Sequence, residues 1–499
     1  MVLLQAQKWA KQVDFGVRVS PESGDMDIVR HSTKRARRLR MLSDALAILL
    51  AISVPCSAAK VPAPMPPTLT TLYSFPGGGG GEFLESGLVF NSTTGVLYGT
   101  TAEGGTYGWG MVYQLTPPGT GTCTRSTWCP TVLYSFNPID NPGDGASPRA
   151  SLVLNSTTGV LYGTTAFGGT SDDGTVFSLT PPTVPGGAWT PNVIHSFTGS
   201  TTGGTDGAEP EASLMLSSKG VLYGTTYAGG TAGFGTVFQL TEATGGVWTE
   251  KVLYNFTGLT DGGNPVAGVV QATDQVLYGT TYTGGLAVTG EPGSGYGTVF
   301  QLVPAGGGVW TESALYSFTN STDGSGPESS LTIHYTQTST VLYGSAFWAG
   351  GSQPQVGCPL GGYFAGCGTV FSLTSPATSG NPWAFAALYA FTGTGLDGAH
   401  PSQNLSLNSA GDLFGTTFSG GSTTDQCFGP SYPGCGTIFV LEPPTTSGGS
   451  WTKVILEEFN GDDGGGPNGV IPGASGTYYG TTYSGGTSGG YGAVFKFIP

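Results

Sequence analysis

The sequence predicts an all-β fold: a seven-bladed β-propeller of four-stranded blades, its ring closed by an N-terminal strand that completes the last blade. Three observations predict it. The segment LYGTT and its variants recur seven times, at 97–101, 161–165, 222–226, 277–281, 342–346, 413–417 and 478–482. Each copy is accompanied by a GTVF-like segment downstream and an LYSF-like segment, the latter at 72–75, 133–136, 194–197, 253–256, 315–318, 388–391 and 456–459. The composition agrees: 87 Gly and 34 Pro punctuate 499 residues, and with only 9% charged residues an ordinary helical enzyme is excluded. A hydrophobic share of 38% equally excludes a solvated disordered chain.

Each repeat reads as four short strands. In the second repeat these are 150–155, 160–166, 174–180 and 192–198, rich in Val, Leu, Tyr, Phe and Thr and bounded by Gly, Pro, Asn or Ser. GTVFSL sets Thr175, Phe177 and Leu179 against Val176 and Ser178, the two-residue period of a strand. Successive LYGTT elements lie 64, 61, 55, 65, 71 and 65 residues apart. Four strands in roughly 60 residues, repeated, is the spacing of propeller blades. The Gly of LYGTT is expected to admit a close backbone approach or a bulge. The Gly-Gly doublets that follow fit turns with φ > 0. Trp128, Trp189, Trp248, Trp310, Trp383 and Trp451 stand before LYSF elements, where packing between blades is the first expectation and sugar stacking the second. The repeats open on LYSF and close on GAVF, so Leu72–Phe75 is expected to pair with Val494–Phe497 and leave no open edge.

The LYGTTxxGG…GTVF…LYSF unit resembles the GloVer (Gloeo/Verruco) tandem repeat of exported bacterial "choice-of-anchor" proteins, over residues 69–499. The resemblance implies an exported address and a repeat architecture, and no activity. Such proteins often end in a C-terminal sorting segment; the sequence here runs to Pro499 directly after the last strand pattern, so anchoring by that route is not expected.

The N-terminal segment agrees with that address. Residues 1–59 hold nine of the sixteen Lys and Arg, then the apolar run Ala45–Val54 and the small residues Ser57-Ala58-Ala59. This is the layout of a secretory signal peptide, and the run is short of the roughly 20 residues a membrane span needs. A start at Met26 fits the long lead before the basic cluster. The domain reading is therefore an extension and signal peptide over 1–59, a Pro-rich lead-in over 60–68, and the propeller over 69–499, secreted to the periplasm or cell surface with no stable membrane span after cleavage. Residues 60–499 carry 7 basic and 26 acidic side chains. That balance excludes nucleic acid as a partner and favours an extracellular glycan, protein or cation met by a monomer. Three close cysteine pairs, Cys123/Cys129, Cys358/Cys367 and Cys427/Cys435, read as disulfides of an exported chain.

Chemistry is expected where outer strands connect to the next inner strands. Those loops carry Asp144, Asp206, Asp261, Asp323, Asp397 and Asp463, each followed by Gly. The first reading is a turn in which Asp caps its own backbone. The sharper reading is a ring of ligand-binding carboxylates that would suit Ca²⁺, although no EF-hand spacing supports a metal and no cofactor is expected. His400 follows Asp397-Gly-Ala on the same face and joins the candidates. No catalytic residue is identifiable. Gly486–Gly490 fits G-x-S-x-G but precedes a strand where a nucleophile elbow needs a helix. Glu457 and Glu458 are neighbours on a strand and face opposite sides. The expected role is a binding or scaffolding module with no assignable reaction. The alternative is a secreted polysaccharide hydrolase or lyase using carboxylates of this face.

Overall fold

The computed structural model describes residues 66–499 apart from 122, 200–204, 287–289, 351–357, 359–365, 379, 395, 423–426, 429–431, 447 and 488–489; the signal-peptide reading lies outside the described residues. The chain folds into seven antiparallel sheets of four strands, and helix is confined to two 3₁₀ turns among the described residues, Gly78–Gly80 and Ala474–Gly476. In the second blade the strands run Val153–Leu154, Leu161–Thr165, Thr175–Thr180 and Thr190–Ser196 from the axis outward. The inner strand is shorter than the sequence suggests. The carbonyl of Ala150 leaves its own ladder and accepts a hydrogen bond from Thr100 Oγ1 of the preceding blade at 3.1 Å.

The ring closes as expected, with a different register. The last blade is Gly465–Pro472, Tyr478–Ser484 and Ala493–Ile498, completed by Thr68–Ser74 from the other end of the chain. Leu69 lies opposite Phe497, Thr71 opposite Phe495 and Tyr73 opposite Val494, so the pairing begins upstream of LYSF. Leu72 is skipped by a β-bulge, which an unbroken two-residue alternation could not anticipate. The same bulge recurs in the outer strand of every other blade. Seven apolar clusters fill the seven junctions between neighbouring blades, the last joining Phe75 and Tyr479 to Leu97 and Tyr113.

The repeated motifs now have separate jobs. The Gly of LYGTT makes room for an aromatic ring on the facing strand rather than for backbone: a Cβ on Gly163 would stand 2.6 Å from Phe177 Cζ. The LYSF Phe crosses to the following blade and meets that ring edge-on, as in Phe136–Phe177, Phe197–Phe238 and Phe318–Phe371, with centroids 5.1–5.3 Å apart. The six Trp pack between blades: each meets the Tyr of the preceding blade's second strand at 5.7–6.3 Å, Trp189 on Tyr98 and Trp451 on Tyr343 among them.

The first hydroxyl after that Gly closes a second ring. Thr100, Thr164, Thr225, Thr280, Ser345, Thr416 and Thr481 each donate to a carbonyl of the following blade's inner segment, at 2.6–3.5 Å. The residue before the loop Pro adds a third link. Ser147, Glu209, Asn264 and His400 hold φ of 54–60°, and their N–H groups donate to the preceding blade at 2.8–2.9 Å. A left-handed conformation in non-glycine residues is disfavoured, and here it is held by bonds to two blades at once. The Gly-Gly doublets take positive φ as expected, 78° and 81° at Gly168 and Gly169.

Candidate functional site

Loops from outer to inner strands meet the loops between second and third strands on one face, through bridges such as Ala208–Ala228, Gly263–Thr283 and Ser325–Trp348. The predicted Asp residues sit on this face, each tied to the end of its own blade's outer strand. Asp144 accepts from Tyr134 Oη at 2.7 Å and the Asn137 N–H at 2.9 Å. Asp261 does the same with Tyr254 and Thr257, and Asp397 with Tyr389 and Thr392. Asp323 accepts from Tyr316 Oη (3.0 Å), the Thr319 N–H (2.8 Å) and hydroxyl (2.7 Å), and both donors of Ser321. The Tyr is that of LYSF, so the two motifs are halves of one hydrogen-bonded latch.

Two blades vary the latch. His195 replaces the Tyr and places Nε2 3.0 Å from Asp206, which also accepts from Thr198. Burial pushes the Asp206 carboxyl up, but the bonds from His195 and Thr198 outweigh it and hold it below the usual range. In the sixth blade Glu457 takes the Tyr position beside Asp463, which accepts from the Asn460 N–H at 2.9 Å. Burial, then Asp463, raises the Glu457 carboxyl. No three His, Cys, Asp or Glu side chains converge as a metal-binding set among the described residues.

His400 lies beneath the face, fully buried, with Nδ1 2.7 Å from Ser419 Oγ and rings of Phe347, Trp348 and Tyr432 at 4.9–5.2 Å. Burial lowers its pKa to about 4, with the Gly366 backbone opposing, so the ring is neutral at physiological pH. Nε2 makes no well-formed hydrogen bond. Ser419 is fully buried as well, so the Ser–His contact is closed to substrate. The cysteines pair as read: Cys123–Cys129, Cys358–Cys367 and Cys427–Cys435. Three disulfides suggest an oxidising, extracytoplasmic environment, and no helix among the described residues is long and apolar enough to cross a membrane.

The more concentrated chemistry lies at the axis, on residues the sequence did not single out. The residue after each loop Pro lies at the mouth of the central channel: Arg149, Glu211 and Glu328 line one small cavity there, of about 40 Å³, with Ser151, Ser213 and Asn404. Arg149 lies between two carboxylates, Nε 3.3 Å from Glu85 and Nη1 2.6 Å from Glu211, with its guanidinium 5.4 Å from the centre of the Phe167 ring. Burial nevertheless leaves Glu85 raised despite Arg149. Glu328 is pushed up to about 8 by burial alone: its carboxyl is enclosed by protein, while the residue keeps some surface open to the channel. An aromatic rim surrounds these groups. Trp348 Nε1 donates to Tyr282 Oη at 3.2 Å, and Tyr483 meets Phe83 and Phe418 at 5.4 and 6.1 Å. Glu328 raises both Tyr282 and Tyr432, and Glu85 raises Tyr483, in each case after burial, which puts rim and carboxylates in one electrostatic neighbourhood.

Residues 86–357 match the Gloeobacter/Verrucomicrobia repeat. The chain belongs to that family. No curated protein matches it. Among solved structures it is similar to a candidate oxidoreductase (glucose dehydrogenase) from Thermus thermophilus, at 14% identity and a TM-score of 0.38 over 87% of this chain and 100% of that one. It is also similar to an ulvan lyase bound to a GlcA–Rha3S unit, at 10% identity and a TM-score of 0.35 over 68% and 82% of the two chains. At such identity and superposition the likeness carries no chemistry.

In this Gloeobacter/Verrucomicrobia repeat protein the latches are also coupled between blades. The residue two after the Trp reaches back to the latch of the preceding blade. Lys453 forms an ion pair with Asp397 and lies 4.9 Å from the Tyr389 ring centre. Glu250 and Glu312 occupy the same position, each with a buried, unbonded Oε1. Burial raises both to about 7, with Asp206 and Asp261 adding to it and His195 opposing at Glu250. A carboxyl raised in the fold keeps its proton while the unfolded chain loses it, so stability should fall as pH rises from about 4.5 to 7. Glu312→Gln should therefore melt with wild type at pH 4 and gain about 1–2 kcal/mol over it at pH 8. Equal melting of the two proteins at both pH values would refute the assignment.

Proposed function

We propose that this chain is an exported, monomeric binding module that presents its loop face to an extracellular ligand and carries out no reaction of its own. The observation that carries the reading is the way the face uses its carboxylates. Five of the six repeated Asp residues accept hydrogen bonds from Tyr or His and from the Thr or Asn that ends the outer strand. At the axis, Glu85 and Glu211 hold the Arg149 guanidinium between them. The cavity beside them, about 40 Å³, is far below the roughly 300–1,000 Å³ of a pocket that encloses a substrate. A sugar ring with its scissile bond does not fit there. Contact is left to the half-buried aromatic rim and to exposed side chains such as Tyr107 and Trp109. Three disulfides, the acidic balance and the N-terminal leader support export.

The test is an array of glycans, proteins and cations probed with the disulfide-bonded chain, run alongside assays for new reducing ends and for unsaturated sugar products. Saturable binding without turnover is expected. Turnover of a polysaccharide, abolished by Glu211→Gln, would replace this reading with the hydrolase or lyase alternative.

A further inference from the structure

The axial mouth has two unequal halves. In one, the chain supplies its own cation: Arg149 is held by Glu85 and Glu211 and lies over the Phe167 ring. In the other, a carboxylate and aromatic rings stand together without a basic side chain. Glu328 lines the cavity, accepts no hydrogen bond from the described residues, and acts electrostatically on Tyr282 and Tyr432. Arg149 acts on Glu85 and Glu209 but does not figure among the influences on Glu328.

We propose that this half of the mouth binds a primary ammonium group on an unbranched alkyl chain, with Glu328 as its carboxylate partner and Tyr282 and Tyr432 as aromatic walls. The inference rests on the binding-module reading and names its ligand class. Size selects the head group. A water needs roughly 10–15 Å³ by the measure that gives this cavity about 40 Å³, so an ammonium fits and a pyranose does not. Charge selects the sign. Carboxylates with aromatic faces attract cations, and the surplus of acidic side chains over 60–499 raises their local concentration. A hard metal ion is the poorer match, because no three carboxylates or imidazoles converge among the described residues. The stem accounts for the rim: methylenes behind the ammonium would lie against the Tyr282–Trp348 pair.

Calorimetric titration of the full disulfide-bonded chain with 1,5-diaminopentane and with Nα-acetyl-lysine methylamide tests the proposal. Both should bind saturably at pH 8 and low salt, and at least tenfold more weakly to Glu328→Gln, the loss of one charge-assisted bond. Affinity should rise from pH 6 to 8.5 as Glu328 ionises, with Glu85, Glu211, Arg149, Tyr282 and Tyr432 the other titratable groups facing the ligand. Tyr282→Leu, which keeps the carboxylate, should weaken binding severalfold and serves if Glu328→Gln fails to fold. Binding of the lysine derivative alone would point to a protein partner, and of the diamine alone to a free polyamine. Equal affinity of wild type and Glu328→Gln, or no binding of either amine to wild type, overturns the proposal. If the array then finds another ligand, the binding-module reading survives by itself; if it finds none, both fall.

Discussion

A chain shortened to begin at Gly77, and so lacking Thr68–Ser74, should lose its cooperative fold near room temperature. That strand lies against Ala493–Ile498 over six residue pairs and completes the outermost position of the last blade. Phe75, 1% exposed, is wedged against Tyr113 of the first blade at 4.9 Å. Emptying a site of that size costs about 3–5 kcal/mol, a large share of the 5–15 kcal/mol that holds a typical domain together. The exposed edge of Ala493–Ile498 would also invite pairing with other molecules. Scanning calorimetry and size-exclusion chromatography of the shortened chain should show a melting point lowered by more than about 10 °C, together with soluble aggregates. A synthetic peptide spanning 66–76 should restore the monomer. Melting within a few degrees of the intact chain would mean that the ring does not depend on this closure.

Asp323→Ala should destabilise the fold by about 2–4 kcal/mol. The change removes the acceptor of five hydrogen bonds from Tyr316, Thr319 and Ser321, in a residue only 5% exposed. Donors left unsatisfied in such a place cost about 1–3 kcal/mol each, less where water reaches them. Tyr316→Phe removes one donor and should cost about 1 kcal/mol, and the double variant should cost less than the sum, because the two residues share a bond. Urea denaturation measures all three. If Asp323→Ala kept full stability yet abolished binding of whatever ligand the array identifies, the Asp residues would be recognition groups after all.

Blade number, strand content and the Trp packing were legible because they depend on residues that are the same in each repeat. LYGTT, GTVF and LYSF mark three strands each, and seven copies leave one architecture. The latch was half legible. The Asp recurs visibly, but its Tyr partner lies 7–11 residues upstream, inside what reads as a strand motif. The register of closure was hidden by the bulge at Leu72, which shifts the alternation by one residue. The axial mouth was invisible for the opposite reason to the blades: the position after the loop Pro is Arg149, Glu211, Val266 and Glu328 in successive copies. A search for sameness passes over a position that differs each time. Only the closing of the ring turns four unlike side chains, some 60 residues apart along the chain, into neighbours.

The pairing of Tyr73 with Val494 also sets a sequence of events in time. On the ribosome, the strand that seals the ring is made hundreds of residues before the strand it must find. Local hairpins such as Thr298–Gly306 with Val309–Ser317 can form at once. The seal is the most distant contact in the sequence, and such contacts form slowly. Until then, both faces of the final junction remain uncovered, and any factor that holds the early strand apart would postpone folding of the whole ring.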